Sequence, residues 1–188
     1  MPPSIYSAPV RERPGELLIE SIAASRLSIA LVEPFVIASG RVDETRSVEV
    51  EARVVWRGRR ATGLGEGACL PPVTREDWQD ALGSVRDAAS GLEGRWLRLD
   101  GRDLDALFAD TLADAPVARG AVEMALLDAI ARADETPLRA WLGGELGRST
   151  TELETDVTVP ITDPAVMRET ARRWYDRGFR ALKVKVGK

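Results

Sequence analysis

The last 38 residues of the chain constrain its fold most. Leu153 to Val159 reads as a strand, Asp163-Pro164 supplies a helix N-cap followed by a first-turn proline, and a helix runs on to Arg177. Gly178 ends that helix, and Arg180-Ala-Leu-Lys-Val-Lys-Val186 alternates as a second strand. Two strands joined by a crossover helix lie parallel, so this segment is a βαβ unit, the seed of a parallel sheet. On its own such a unit leaves strand edges and apolar faces uncovered.

The preceding residues follow a different pattern. Residues 1–16 carry four prolines and no periodicity, which predicts a loose N-terminal arm. An apolar-rich run from Glu16 to Val32 reads as strand, a polar stretch from Ser39 to Thr45 as loop, and Val48-Glu-Val-Glu-Ala-Arg-Val-Val55 as a period-2 strand. A further strand ends at Gly63-Leu-Gly-Glu-Gly67, completing an antiparallel meander. Helices follow: one started by a capping box at Thr74 and Asp77, one over roughly 103–113, one over 117–133 that is apolar on most sides, and a short one near Leu138–Leu142. Strands followed by helices predict an α+β domain over 17–150, with 151–188 a separate unit.

Among the basic residues are 23 Arg, only three Lys, and no His. Histidine catalysis and histidine metal ligation are therefore excluded for this chain. The single cysteine, Cys69, forms no intrachain disulfide. The first ten residues lack the order of a signal peptide, and no apolar run reaches the ~20 residues of a membrane helix, so the expected location is the cytoplasm, without membrane contact. Arginines interleaved with 30 acidic residues leave a net charge of -4 and no basic stripe, which argues against nucleic acid as a partner.

All three lysines, Lys183, Lys185 and Lys188, fall in the last six residues. Strand alternation puts Lys183 and Lys185 on one face, ~6–7 Å apart. Two readings are open. They are solvated lysines on a half-exposed strand whose apolar face points inward, or they are a base and its charge partner, since an ammonium beside a second cation is more easily deprotonated while Arg stays charged.

Four segments in order resemble the enolase superfamily, in its muconate-lactonizing subgroup, and most of all the dipeptide (L-Ala-D/L-Glu) epimerases. They are Pro34-Phe35 with the polar loop to Thr45; Gly63-Leu-Gly-Glu-Gly67 with Cys69-Leu-Pro-Pro72; Ala121–Ala133 with Pro137-Leu138 and Leu142-Gly-Gly144; and Thr155-Asp-Val-Thr158 with Gly178-Phe179 and Lys183-Val-Lys185-Val-Gly187. The resemblance implies an α+β capping domain on a (β/α)7β barrel and an enzyme that removes a proton next to a carboxylate, with Mg2+ stabilising the enediolate. It assigns Lys185 as base, Lys183 as charge partner, and Thr158 and Arg41 as contacts to a small carboxylate substrate such as a dipeptide. Homo-oligomers fit the same pattern.

Other candidates weigh less. Glu66 and Asp128 read as structural hydrogen-bonding residues and Cys69 as inert. The metal ligands and the opposing base of the resembled enzymes lie on later barrel strands, so no metal ligand is assigned here. A barrel takes ~200–250 residues; residues 151–188 are thus expected to be its beginning, and the chain the amino-terminal half of such an enzyme. A muconate cycloisomerase, an o-succinylbenzoate synthase or an N-acylamino-acid racemase shares the Lys-x-Lys pattern, and a non-catalytic isolated capping module is the competing class.

Overall fold

The computed structural model describes residues 13, 15–37, 40–98, 102–143 and 153–186. Its strands are β1 (Glu16–Leu27), β2 (Ala30–Ile37), β3 (Gly40–Glu44), β4 (Ser47–Trp56), β5 (Arg59–Ala68), β6 (Trp96–Arg98), β7 (Asp156–Val159) and β8 (Ala181–Val184). The helices are α1 (Trp78–Leu92), α2 (Arg102–Thr111), α3 (Pro116–Ala133), α4 (Leu138–Trp141) and α5 (Pro164–Asp176). The elements fall into two compact units. One holds β1, β4, β5, β6 and α1–α4; the other holds β2, β3, β7, α5 and β8. The β2–β3 hairpin lies within the 17–150 segment yet groups with the second unit.

In the first unit an antiparallel sheet runs β5-β4-β1-β6. Its central strand shows the expected period of two: Val48, Val50, Ala52 and Val54 are fully buried, while Glu49, Glu51 and Arg53 point the other way. Helix α3 lies across β5 and β4, and α1 across β1. The glycines of β5 explain how α3 comes so close. A Cβ at Gly63 would overlap the backbone of Ala125 and Ala129, and one at Gly65 would overlap Ala121. The Gly-x-Gly-x-Gly pattern is thus a bed for a helix backbone.

Side chains distant in sequence complete this unit. The α3 N-terminus has no local side-chain cap. The buried Glu76 carboxylate takes that place, accepting from Val117 N at 2.7 Å and Ala118 N at 3.1 Å. The pairing of β1 with β4 slips between Ile19 and Ser21, and there Glu93 Oε1 accepts from Ile22 N at 2.9 Å while Gly94 N donates to Ile19 O at 2.8 Å.

Several boundaries differ from the sequence expectations. The run 16–32 is two strands, broken at Ser28-Ile29, and 40–44 is a strand paired with β2, with Phe35 opposite Val42. A hairpin supplies hydrogen bonds to polar residues that a pattern-based reading leaves as loop. Strand β6 carries too few residues for a periodic signal. Helix α1 starts one turn late: Asp77 is the N-cap, accepting from Gln79 N and Asp80 N, with Asp80 returning the bond to Asp77 N. Thr74 instead accepts from Leu70 N at 2.8 Å and donates to Glu76 O at 2.9 Å, tying down the loop that delivers Glu76. The expected arm lies mostly outside the described residues, as does the Gly144 end of the Leu-Gly-Gly motif. Among the described residues no helix is long and apolar enough to cross a membrane.

Candidate active site

Helix α5 begins as its sequence dictates, with Asp163 accepting from Ala165 N at 2.8 Å and Pro164 at the first position. It ends in a Schellman motif. Gly178, at φ +104°, donates to Tyr175 O at 3.0 Å, and Phe179 N donates to Trp174 O at 3.2 Å. The accompanying apolar contact is aromatic: Trp174 and Phe179 meet edge to face with centroids 5.5 Å apart. Arg180 then bonds Tyr175 O at 2.8 Å and stacks over the Tyr175 ring, so the chain enters β8 along a fixed path.

Strands β7 and β8 pair in parallel, with Val157 opposite Leu182, Thr158 opposite Lys183 and Val159 opposite Val184. Residues side by side in a parallel pair share a face, so Thr158 and Lys183 are neighbours, and alternation adds Lys185 to the same face. Lys185 lies one residue past β8 but is still held by the ladder, its amide donating to Val159 O at 3.0 Å. Three of the four sequence-predicted site residues therefore gather at the carboxyl ends of two parallel strands. Lys183 is exposed, whereas Thr158 and Lys185 are half-buried.

Arg41 lies on a different sheet, on β3 opposite Val36. Its guanidinium holds Asp43, with Nε donating to Oδ1 at 2.9 Å and Nη2 2.8 Å from the same oxygen. That hydrogen bond, with the Asp43 charge, raises the Arg41 pKa further above its ordinary value. Both side chains are solvent-exposed, so the pair adds little to stability and its guanidinium is open to other anions.

The other face of β8 is uncovered, as expected of a lone βαβ unit and unlike the reading of a half-exposed strand with its apolar face inward. Its apolar face does not point inward: Leu182 is 36% exposed, Val184 51% and Val186 85%, whereas Val159 on β7 is buried. One crossover helix covers only part of a two-stranded sheet, and α5 packs on β7. A cleft of about 480 Å³ lies at the opposite end of the pair, lined by Leu153, Thr155, Arg177, Phe179 and Arg180. It is separated from Lys185 by the length of the strands, and in α/β barrels that end serves stability.

Of the remaining candidates, Asp128 resolves as structural. Asp128 Oδ2 accepts from both Leu64 N at 3.0 Å and Arg132 Nε at 2.8 Å, tying α3 to β5. Glu66 is exposed on β5, facing Glu49 in the ladder. Burial, and then the charges of Glu76, Asp77 and Asp80, push the Cys69 thiol pKa up, which keeps it protonated and unreactive. Glu76 was missed by sequence reasoning, because its partners lie some forty residues away and no local pattern marks a distant cap. Among the described residues no three His, Cys, Asp or Glu side chains converge, so these residues do not fit a Mg2+ site.

No family model matches the chain. Its sequence is 34% identical over 164 residues to an L-Ala-D/L-amino acid epimerase of Populus trichocarpa, covering 86% of this chain and 37% of that protein. It is 32% identical to an aromatic dipeptide epimerase of Herpetosiphon aurantiacus, covering 89% of this chain and 45% of that protein. Among solved structures, the L-Ala-D/L-Glu epimerase of Bacillus subtilis aligns with TM-score 0.75 at 32% identity, over 91% of this chain and 46% of that one. The chain matches the amino-terminal part of enolase-superfamily dipeptide epimerases. A dipeptide epimerase of Enterococcus faecalis, solved with Mg and the dipeptide L-Leu-L-Tyr, aligns with TM-score 0.77 at 28% identity, over 91% of this chain and 46% of that one. The chain thus spans less than half the length of these epimerases, and the stretch it matches takes in both the antiparallel sheet and the βαβ unit.

Proposed function

We propose that this chain is the amino-terminal part of a dipeptide epimerase, with residues 17–150 acting as capping domain and 151–188 opening the catalytic barrel. The observation that carries the reading is the register of the parallel pair, which sets Thr158 beside Lys183 and leads to Lys185 on the same face. In this role the Lys185 amine removes the proton from the carbon next to the substrate carboxylate. The Lys183 ammonium on the same face attracts the substrate carboxylate. The Thr158 hydroxyl hydrogen-bonds the substrate, and Arg41 gives up Asp43 for a substrate anion.

The described residues hold no carboxylate cluster for Mg2+. On this reading the Mg2+ ligands and the second base needed to return the proton to the other face belong to chain beyond residue 188. The similarity to a hydrophobic dipeptide epimerase and to an L-Ala-D/L-Glu epimerase supports a dipeptide as substrate for this protein as well.

Exchange of the alpha proton tests the assignment. In the full-length protein, Lys185→Arg is expected to lower solvent deuterium incorporation into L-Ala-L-Glu from one face by about 10³-fold, because Arg does not cycle its proton. Normal exchange in that variant would remove Lys185 from the mechanism.

A further inference from the structure

A lysine used as a base must aim its amine, yet its side chain has four rotatable bonds, and the ordering of each must come from its surroundings. The described hydrogen bonds of Lys185 stop at its backbone amide. What constrains the side chain must then be packing along its stem. The register names the packing partner. Val159 is opposite Val184, and the Lys185 amide still bonds Val159 O at 3.0 Å, so the pairing continues one step past both strands and brings Pro160 beside Lys185. That residue stands to Lys185 as Thr158 stands to Lys183, on the same face. Both Pro160 and Lys185 are half-buried, whereas Lys183, one pair earlier, is exposed.

We propose that Pro160 is a positioning residue for Lys185, its ring packing along the lysine stem and holding the first side-chain torsion in one well. A proline suits the place for three reasons. Its ring is rigid, so it loses almost no side-chain entropy when it packs. It confines the preceding Val159 to extended backbone, which keeps the Val159 carbonyl aimed at the Lys185 amide. Its missing N–H does not weaken the pair: the amides that alternate with it, those of Val157 and Val159, are the ones that face β8, so its nitrogen faces the open edge of β7. The proposal rests on Lys185 being the base for its catalytic meaning, but not for its structural content.

The lysine count makes a direct test feasible, since 13C,15N-lysine labelling of the 188-residue chain gives only three spin systems. The three-bond couplings from Lys185 Cγ to its backbone N and carbonyl carbon report the first torsion. The native chain is expected to show one dominant well at Lys185; Pro160→Gly should bring the couplings to rotamer-averaged values, leaving those of Lys183 unchanged. Pro160→Val, which restores apolar bulk on that face, should recover the native couplings even though its backbone is freer. Averaged couplings in the native chain, unchanged couplings in Pro160→Gly, or failure of Pro160→Val to recover them would each overturn the proposal. In the full-length protein, Pro160→Gly should also lower kcat about tenfold with KM little changed. If the couplings respond while kcat does not, the positioning stands and the assignment of Lys185 as base fails instead.

Discussion

Two of the sheets, the four-stranded one and the β7–β8 pair, are built from similar residues and end up in opposite states. In the four-stranded sheet, alternation on β4 buries every inward side chain beneath α3, and distant carboxylates such as Glu76 and Glu93 close the remaining backbone gaps. In the β7–β8 pair the same alternation leaves Leu182 and Val184 in solvent while its polar face collects Thr158, Lys183 and Lys185. Burial of apolar area is what stabilises a domain. The contrast therefore separates the part of the chain that carries stability from the part that carries the proposed catalytic groups.

Breaking the first sheet should have the largest effect. Gly65→Ala places a methyl group against the Ala121 carbonyl, and neither backbone has room to yield. A loss of about 3–5 kcal/mol is expected in urea unfolding. A loss under 1 kcal/mol would mean that α3 does not sit on β5 as described. Next comes Glu76→Gln, which keeps the shape but removes the charge facing two helix amides; about 2 kcal/mol should be lost by the same measurement. On the β7–β8 pair, Val184→Thr should change the unfolding free energy by less than about 0.5 kcal/mol, since the side chain is already half in water. A large cost there would erase the distinction between the sheets.

The smallest effect concerns Cys69, which packs in the first unit. Its raised pKa predicts slow reaction with a thiol reagent in the folded chain and a reactivity midpoint above the usual ~8.5. Because the folded pKa is the higher one, this contribution to stability is fully present below the unfolded thiol's pKa and is lost as pH rises through the folded value. Thiol reactivity of native and urea-unfolded chain, measured against pH, checks both the direction and its origin in burial.

Local signals were readable in advance where their physics is local. Asp163-Pro164 and Gly178 bounded α5 because caps and proline act within one turn, and the alternation of 48–55 marked β4 because burial follows every second residue. The placement of α1 went astray at Thr74, since both Thr74 and Asp77 offer a capping pattern and the choice depends on Glu76 being drawn to α3. The polar stretch 39–45 reads as loop in the sequence although 40–44 is strand β3, because its pairing with β2 is a contact between segments.

By itself the sequence determined the types of the longer elements, the βαβ grammar, the exclusion of histidine chemistry and the shared face of Lys183 and Lys185, all of which follow from composition and spacing along the chain. Only the tertiary structure decided that Thr158 lies beside Lys183 and that Glu76 caps α3. Those facts depend on register and on which segments meet. Hydrogen bonding and packing settle both across distances that no sequence window spans.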